Sequence, residues 1–195
     1  GTLLTTESVL VEPNRNAGVD DAVLREHLME ILGGKRLLAL ENGELEGDDT
    51  DGHIDTLARF LSPETIAYVG CEDTRDDHYH PLRRMREELE AYRTLEGEPY
   101  KLVELPLPPA IYDEEGQRLP ATYANFLFVN GALLVPTYGV PPDEVALERL
   151  RQALPDRAVV GVDSRALIYQ HGSLHCATMQ FPRGFVNKNK WSDDE

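Results

Sequence analysis

A histidine and an aspartate stand two positions apart in the segment Gly52-His53-Ile54-Asp55. Side chains two positions apart on a β-strand share a face, so an imidazole that moves protons would lie beside a carboxylate that binds positive charge. The neighbouring Asp48 and Asp49 make this region more negative. Two other interpretations stay open: a hydrogen-bonded structural pair, or part of a Ca²⁺ or Mg²⁺ loop, although the ligand spacing of an EF-hand is absent.

A cysteine ends the segment 170–176, which also contains a Gly-Ser pair and two histidines. A thiol with imidazoles nearby in sequence is a candidate for an activated nucleophile. A buried, inert cysteine is a second interpretation. A zinc site is a third, with ligands drawn from His171, His175, Cys176 and either His53 or His80.

The other cysteine, Cys71, stands in the acidic run Gly70-Cys71-Glu72-Asp73 and is interpreted as structural, because negative neighbours raise the pKa of a thiol. Two cysteines are too few for a disulfide framework. They fit a reducing compartment, which predicts a cytoplasmic protein.

The sequence carries 35 acidic and 19 basic residues, a formal net charge of −16 over 195 residues. This charge repels phosphate backbones and anionic lipids, so it disfavours nucleic-acid and membrane partners and favours a cationic substrate. An acidic surface also keeps a protein soluble without any further role. The most apolar run, residues 126–135, is interrupted by Asn130-Gly131 and is shorter than the ~20 apolar residues of a membrane-spanning helix.

Three segments have the apolar spacing of three and four residues that is typical of amphipathic helices. They cover residues 21–32, a segment that begins at Pro81, and residues 142–154. Gly33-Gly34 ends the first, and proline suits the first turn of the second. The apolar faces comprise Val23, Leu24, Leu28, Ile31 and Leu32 in the first helix, Leu82, Met85, Leu89 and Tyr92 in the second, and the inward-facing Val145, Leu147, Leu150 and Leu154 in the third.

Short apolar and β-branched segments before and after these helices are predicted as strands. They cover residues 3–6, 35–40, 54–61, 66–69, 101–105, 123–129, 132–135 and 158–162. The turns Ser62-Pro63-Glu64 and Asn130-Gly131 join two strand pairs as hairpins. The predicted fold is therefore α/β, with a β-β-α-β unit that repeats after roughly 65 residues.

By this repeat, the chain holds two whole units, part of one unit before them and the opening strand of another after them. Repeated units bury their faces against neighbours, so an incomplete array predicts a piece of a larger protein. A start at Gly1, with no initiator methionine, supports the same expectation. The predicted domain spans residues 1–186, and residues 187–195 form a polar tail.

Several segments together resemble the agmatine deiminase and bacterial peptidylarginine deiminase family. They are Gly47-Asp48-Asp49-Thr50-Asp51-Gly52-His53-Ile54-Asp55, Thr122-Tyr123-Ala124-Asn125-Phe126, Val135-Pro136-Thr137-Tyr138 and Gly172-Ser173-Leu174-His175-Cys176, with Asn14-Arg15-Asn16 as a weaker match. The resemblance covers residues 1–182 and is to the C-terminal part of a longer family chain. It implies the pentein-type α/β propeller, built from five β-β-α-β modules, of which this chain holds an incomplete set.

The resemblance implies that Cys176 attacks a guanidinium carbon, that His53 handles protons and that Asp55 binds the guanidinium. It implies no metal and no cofactor, and Asp49 is a further candidate for binding the distal amine of the substrate. These types of residue suit the chemistry, because carboxylates hold a delocalised cation while a thiolate attacks its carbon. The family's other acids that bind the guanidinium or handle protons would lie upstream of Gly1.

The expected activity is hydrolysis of agmatine, a small cationic guanidine, to N-carbamoylputrescine and ammonia, with peptidylarginine or free arginine as the alternative substrate. Met179 stands where agmatine deiminases commonly have glutamine, and the residues before Cys176 differ from the usual Gly-rich run that ends in Asn-Ile-His-Cys. A metal-dependent hydrolase and a non-catalytic acidic binding module are the alternatives from other classes. The oligomeric state stays open, with a homodimer as one option.

Overall fold

A computed structural model describes residues 1–48, 52–181 and 185. The first part is a two-stranded parallel sheet of β1 (Thr2–Thr6) and β2 (Arg36–Leu40). Between these strands lie the short helices α1 (Glu7–Val11) and α2 (Pro13–Asn16) and the longer α3 (Asp21–Leu32). A β-α-β unit with a parallel pair is what the sequence predicts for the partial module.

The second part is a complete β-β-α-β unit. It comprises β3 (Ala58–Ser62), β4 (Thr65–Gly70), α4 (Tyr79–Ala91) and β5 (Lys101–Pro106). Strand β4 lies in the centre of the sheet, antiparallel to β3 and parallel to β5. The helix is the crossover that a parallel pair of strands requires.

The third part repeats this topology. It comprises β6 (Leu127–Val129), β7 (Ala132–Thr137), α5 (Pro142–Ala153) and β8 (Ala158–Asp163). Strand β7 is antiparallel to β6 and parallel to β8. Gly131 closes the β6–β7 hairpin at φ +81°, a conformation that glycine adopts without steric cost. The predicted β-β-α-β repeat is therefore confirmed.

Each long helix of a complete unit packs against two sheets. Helix α4 contacts β4 of its own unit and β2 of the unit before it, and α5 likewise contacts β8 and β5. One buried cluster includes Leu40, Leu57, Ile66, Tyr68, Leu82, Met85 and Leu89. The other includes Leu61, Ala67, Leu105, Tyr123, Phe126, Leu133, Val135, Leu147 and Leu150. Because each cluster joins two successive units, burial of one unit depends on its neighbour.

The apolar face of α3 shows the same dependence. The helix has the predicted bounds, but Ile31 is 80% exposed and Leu32 is 62% exposed. Helix α3 contacts β2 of its own unit, and in the described part of the chain no sheet of a preceding unit covers its other side. The apolar spacing therefore predicted the helix correctly but not the burial of its face.

Two predicted strands are wrong in part. Residues 54–61 do not form one strand, because Ile54–Thr56 is a 3₁₀ turn and pairing starts only at Ala58. Residues 123–126 do not pair either. Their segment is held by a side chain instead, since the Tyr138 hydroxyl accepts from the Thr122 amide at 3.0 Å and lies 2.9 Å from the Thr122 carbonyl oxygen.

Three smaller expectations also differ. Helix α4 begins at Tyr79, and Pro81 still lies in the first turn, where a missing N–H costs no helical hydrogen bond. Val145 is 44% exposed, because α5 turns Ala146, Leu147 and Leu150 inward. The strand predicted after β8 is absent from residues 164–181, which form a 3₁₀ turn (Leu167–Gln170) and irregular chain. The polar tail at 187–195 lies outside the described residues.

A buried carboxylate ties β7 to the start of α5. Asp143 accepts hydrogen bonds from the Tyr123 hydroxyl at 2.6 Å and from the backbone amides of Tyr138, Gly139 and Val140. Asp143→Ala would leave these donors unpaired in the core. We expect it to lower the free energy of unfolding by about 3 kcal/mol, measured by denaturant titration.

Asp163 at the end of β8 provides the control for this prediction. Its side chain is 58% exposed and pairs with the exposed Arg165. Asp163→Ala should change the free energy of unfolding by no more than about 0.5 kcal/mol. Equal effects of the two substitutions would contradict the role given to Asp143.

In the described ranges, 1–48 and 52–181 with residue 185, no helix combines the length and apolar character needed to cross a bilayer.

Candidate active site

Three segments that are distant in sequence bring their polar side chains together. They are the turn before β3, which carries Asp55, the loop before β6, which carries Asn125, and the loop after β8, which carries His175 and Cys176. Asn125 is fully buried and lies between the other two segments. The site is therefore built by two successive units and the chain that follows them.

The turn that carries Asp55 is fixed at both ends. Gly52 takes φ +78°, and its carbonyl accepts a hydrogen bond from the Thr6 hydroxyl at 2.8 Å. The Thr56 hydroxyl lies 2.9 Å from an Asp48 carboxylate oxygen, and the Thr56 carbonyl accepts from the Thr122 hydroxyl at 2.9 Å. These contacts explain why the chain turns here and does not yet enter β3.

Asn125 uses both ends of its amide. Its Nδ2 lies 3.1 Å from Asp55 Oδ2 and 3.2 Å from Cys176 Sγ. Its Oδ1 accepts from the backbone amides of His175 at 2.7 Å and Cys176 at 3.2 Å. One buried side chain therefore sets the distance between the carboxylate and the thiol, and Cys176 Sγ lies 3.6 Å from Asp55 Oδ2.

Tyr138 holds the two loops against each other. Its hydroxyl contacts both the amide and the carbonyl of Thr122, and it lies 3.0 Å from the hydroxyl of Ser173. Tyr138 and Ser173 are both buried. Tyr138 thereby adds a second link between the loop with Asn125 and the loop with Cys176, beside the one that Asn125 Oδ1 makes.

Gly172 permits the tight turn before the thiol. A Cβ atom at this position would lie 2.8 Å from Cys176 Cβ and 3.2 Å from Cys176 Sγ. The turn continues with hydrogen bonds from Ala177 N to the Ser173 carbonyl and from Thr178 N to the His175 carbonyl. A side chain at position 172 would push the thiol out of this turn.

The electrostatic surroundings keep Asp55 ionised. Burial on its own would raise its pKa, but the hydrogen bond and charge of His175 and the charge of Arg59 outweigh burial and hold the pKa below its usual range. The guanidinium of Arg59 lies over the ring of Phe126, 4.6 Å from its centroid, and donates to the Phe126 carbonyl. The site thus holds a carboxylate that is charged at neutral pH.

The two thiols differ in their surroundings. Partial burial of the sulfur raises the pKa of Cys176, and the charge of Asp55 raises it further. Hydrogen bonds from Ser173 and Asn125 lower this pKa, but the net direction is upward. Cys176 is nevertheless exposed at the surface of the described chain. Burial is also the main cause that raises the pKa of Cys71, more than the acidic neighbours on which the sequence interpretation relied.

Of the predicted site residues, Asp55 and Cys176 lie together. His53 is half-buried and directly precedes the turn that carries Asp55. The prediction that His53 and Asp55 share the face of a strand is wrong, because residues 54–56 form the 3₁₀ turn. Asp49 lies outside the described residues.

The predicted zinc ligands have separate partners. The Nδ1 atom of His171 lies 2.9 Å from the Gly47 carbonyl oxygen, whereas that of His175 lies 2.6 Å from Asp55 Oδ2. Over the described residues, no three side chains of His, Cys, Asp or Glu are grouped so that they could hold a metal ion.

Sequence reasoning gave no role to Asn125 and considered His175 only as an imidazole near the thiol or as a metal ligand. The segment that contains Asn125 carried part of the family resemblance, and this was the one available signal for its importance. His175 is next to the cysteine, but its contact with Asp55 joins residues 120 positions apart. No local pattern predicts such a contact.

Comparison with known families identifies the chain. The model of the Porphyromonas-type peptidyl-arginine deiminase family matches residues 1–182. The chain therefore belongs to this family.

A Vibrio parahaemolyticus protein named "Putative agmatine deiminase" is 34% identical over 198 residues, with 93% of this chain and 55% of that protein covered. A crystal structure of the "Putative Arginine Deiminase" from Porphyromonas gingivalis superimposes with a TM-score of 0.92 and 56% identity, over 95% of this chain and 55% of that one. Agmatine deiminase of C. jejuni, in a Cys→Ser variant with substrate bound, gives a TM-score of 0.84 and 48% identity, over 90% of this chain and 50% of that one.

These matches also define the fold. The β-β-α-β units belong to the pentein-type α/β propeller, as the resemblance implied. The chain spans about half the length of the curated relatives that it matches. The described units are accordingly an incomplete set of modules.

Proposed function

We propose that the protein to which this chain belongs hydrolyses a guanidinium group, with agmatine as substrate and N-carbamoylputrescine and ammonia as products. The observation that carries the proposal is the pairing of a charged, largely buried carboxylate, Asp55, with the thiol of Cys176 only 3.6 Å away. A carboxylate attracts and orients a guanidinium, and a thiolate beside it is the natural nucleophile for the guanidinium carbon.

The free oxygen of Asp55 supports a guanidinium partner. Within the described part of the chain, Asp55 Oδ1 is buried and has no hydrogen-bond partner. A buried carboxylate oxygen without a donor is costly, so the site suits a ligand that brings N–H groups to it. Relatives named as agmatine deiminases support agmatine as this ligand.

The proposed reaction has two steps. The Cys176 thiolate bonds to the guanidinium carbon, a C–N bond breaks, and the nitrogen takes a proton from the His53 imidazolium and leaves as ammonia. Water then gives one proton to His53 and bonds through its oxygen to the same carbon. The C–S bond breaks as the new hydroxyl loses its proton to solvent, and a ureido group and the thiolate are released. Asp55 holds the cation throughout, and Asp49 is proposed to bind the distal amine.

An arginine side chain is the second candidate substrate. The description of the matching family as peptidyl-arginine deiminase favours it, as does the similarity to the P. gingivalis structure. The guanidinium chemistry is the same in both cases. The two differ in the group at the far end of the aliphatic chain, an amine in agmatine and backbone groups in arginine.

Release of ammonia from a panel of guanidines by the complete protein tests the proposal. We expect agmatine to give equal amounts of ammonia and ureido product and to be preferred over free arginine and a blocked arginine peptide. Preference for the peptide would assign the second candidate, and ammonia release no greater than that of Cys176→Ala on every substrate would refute deimination.

Treatment with a chelator before the ammonia assay distinguishes the thiol mechanism from a metal-dependent hydrolase. Activity that persists after dialysis against a chelator agrees with the thiol mechanism, whereas activity that is lost and then restored by zinc would contradict it.

A homodimer and a cytoplasmic location stay predictions. Size-exclusion chromatography of the complete protein tests the first, and cell fractionation tests the second.

The pH dependence of the thiol gives a further prediction. Because burial and the charge of Asp55 raise the pKa of Cys176, the free protein should hold this thiol mainly neutral at pH 7. Its alkylation by iodoacetamide should therefore accelerate as pH rises, with a midpoint above that of an ordinary thiol. Asp55→Asn removes negative charge and should move the midpoint to lower pH.

Peptide mapping distinguishes Cys176 from Cys71 in this experiment. Cys71 lies in the second unit, near Asp73 and Asp76, and Asp55 is not among the groups that shift its pKa. Its alkylation midpoint should be the same with and without Asp55→Asn. An equal change at both cysteines would show a global change in structure and would contradict the local account.

A further inference from the structure

His175 is the immediate neighbour of the proposed nucleophile and contacts the carboxylate on the other side of the site. Its Nδ1 atom lies 2.6 Å from Asp55 Oδ2, closer than Asn125 Nδ2 at 3.1 Å and Cys176 Sγ at 3.6 Å. The backbone amide of His175 points to Asn125, where Oδ1 accepts it at 2.7 Å. Since the backbone is held and the ring is only 31% exposed, the imidazole has a defined position against Asp55.

The contacts of Asp55 are distributed unequally over its two oxygens. The ring of His175, the amide of Asn125 and the thiol of Cys176 all approach Oδ2. In the part of the chain that the structure describes, the buried Oδ1 has no hydrogen-bond partner. Rotation about the Cβ–Cγ bond would change this arrangement, so the groups at Oδ2 determine where Oδ1 points.

Of these groups, His175 is best suited to fix the carboxylate. A carboxylate oxygen can only accept, so the 2.6 Å contact requires a proton on Nδ1 of His175. A hydrogen bond to an ionised group is about twice as strong as a neutral one. The amide of Asn125 is more distant, at 3.1 Å, and divides its Nδ2 group between Asp55 and Cys176.

We infer that His175 is a positioning residue, which donates its Nδ1 proton to Asp55 Oδ2 and thereby keeps Oδ1 directed toward the guanidinium of the substrate. This inference rests on the proposed function. His175 takes no part in bond making or proton transfer to the substrate. Its effect on the reaction passes entirely through the orientation and charge of Asp55.

Two substitutions at position 175 separate hydrogen bonding from the mere presence of a ring. His175→Leu removes the donor. His175→Asn keeps one, because the amide nitrogen of asparagine and Nδ1 of histidine are both attached directly to the γ carbon. His80→Asn, on the exposed face of α4, is the matched control for loss of a histidine.

Binding of agmatine to the complete protein in a Cys176→Ser background, measured by calorimetry, is the first readout. His175→Leu should weaken binding on the order of 10- to 100-fold, His175→Asn should restore it to within about 3-fold, and His80→Asn should leave it unchanged. In an Asp55→Asn background, His175→Leu should cause no further loss. Binding that withstands His175→Leu, or an equal loss in the Asp55→Asn background, would overturn the inference.

Nitrogen NMR of the histidine rings is the second readout and needs no substrate. In the free protein, His175 should carry a proton on Nδ1, and Asp55→Ala should change its signal while that of His80 stays the same. A His175 ring with an unprotonated Nδ1 would overturn the inference even if agmatine binds. Failure of every guanidine to bind, with the Nδ1 proton present, would instead overturn the proposed function.

Discussion

Cys176→Ala in the complete protein is expected to abolish ammonia release, with a fall in kcat of at least about 10⁴-fold. The reason is chemical: the proposed route needs a bond between sulfur and the guanidinium carbon, and alanine cannot form it. The side chain is at the surface and packs in neither buried cluster, so the melting temperature should change little. Ammonia assays and thermal unfolding of the same preparations check both parts.

Cys71→Ala is the matched control, because Cys71 is the other cysteine of the chain and its thiol also has a raised pKa. Cys71 is half-buried in the second unit, where its sulfur contacts the Asp73 carbonyl. Its loss should leave kcat within about 3-fold of the parent. Turnover that survives Cys176→Ala would contradict the assignment of the nucleophile.

Asp55→Ala is expected to have the second largest effect, a fall in kcat/KM of about 10³-fold. The substitution removes the charge that is proposed to hold the guanidinium. It also leaves the Nδ1 donor of His175 without its partner and removes one of the contacts of Asn125 Nδ2. The loss should appear in agmatine binding as well as in kcat, because Asp55 is proposed to contact the cation before and during the reaction.

Asp55→Ala should also change the reactivity of the Cys176 thiol, which is expected to rise while turnover falls. Loss of the negative charge lowers the pKa of Cys176, so the thiol should react faster with iodoacetamide at neutral pH although turnover has fallen. Asp163→Asn, on an exposed carboxylate at the end of β8, should change neither property. If Asp55→Ala slowed both alkylation and turnover, a general loss of structure would explain the result better than the loss of a binding group.

Periodicity predicted the regular elements well, for physical reasons. Helix α3 begins at Asp21 and ends at Leu32 as expected, because Asp20 caps its first amides and Gly33 takes the left-handed conformation at its end. The prediction of a hairpin at Asn130-Gly131 was also correct, since the turn and the alternation of its strands are local properties. The repeat then followed from the order of these elements.

The geometry of the site was less accessible to sequence reasoning. His53 and Asp55 were expected on one strand, but Thr6 and Thr122, which lie far away in sequence, hold this segment in a turn. The apolar residues that follow do form β3, so the error lies in where the strand begins. Tertiary hydrogen bonds decide this, and they leave no pattern in the local sequence.

Asn125 illustrates the same limit for the candidate site itself. It lies 70 positions from Asp55 and 51 from Cys176, and it touches both. Its burial follows from the packing of residues 122–126 under Tyr138, which in turn depends on the third unit being folded. The sequence could indicate the carboxylate and the thiol, but the amide that sets their separation is visible only in the folded chain.

The covalent step is the central claim, and mass spectrometry of the complete protein quenched in acid during turnover of agmatine tests it most directly. We expect peptide mapping to find, on Cys176 and on no other residue, an adduct with the mass of agmatine less one ammonia. The adduct should appear before steady state and disappear once agmatine is consumed. Ammonia release with Cys176 unmodified at every quench time, from milliseconds to steady state, would contradict covalent catalysis by this thiol.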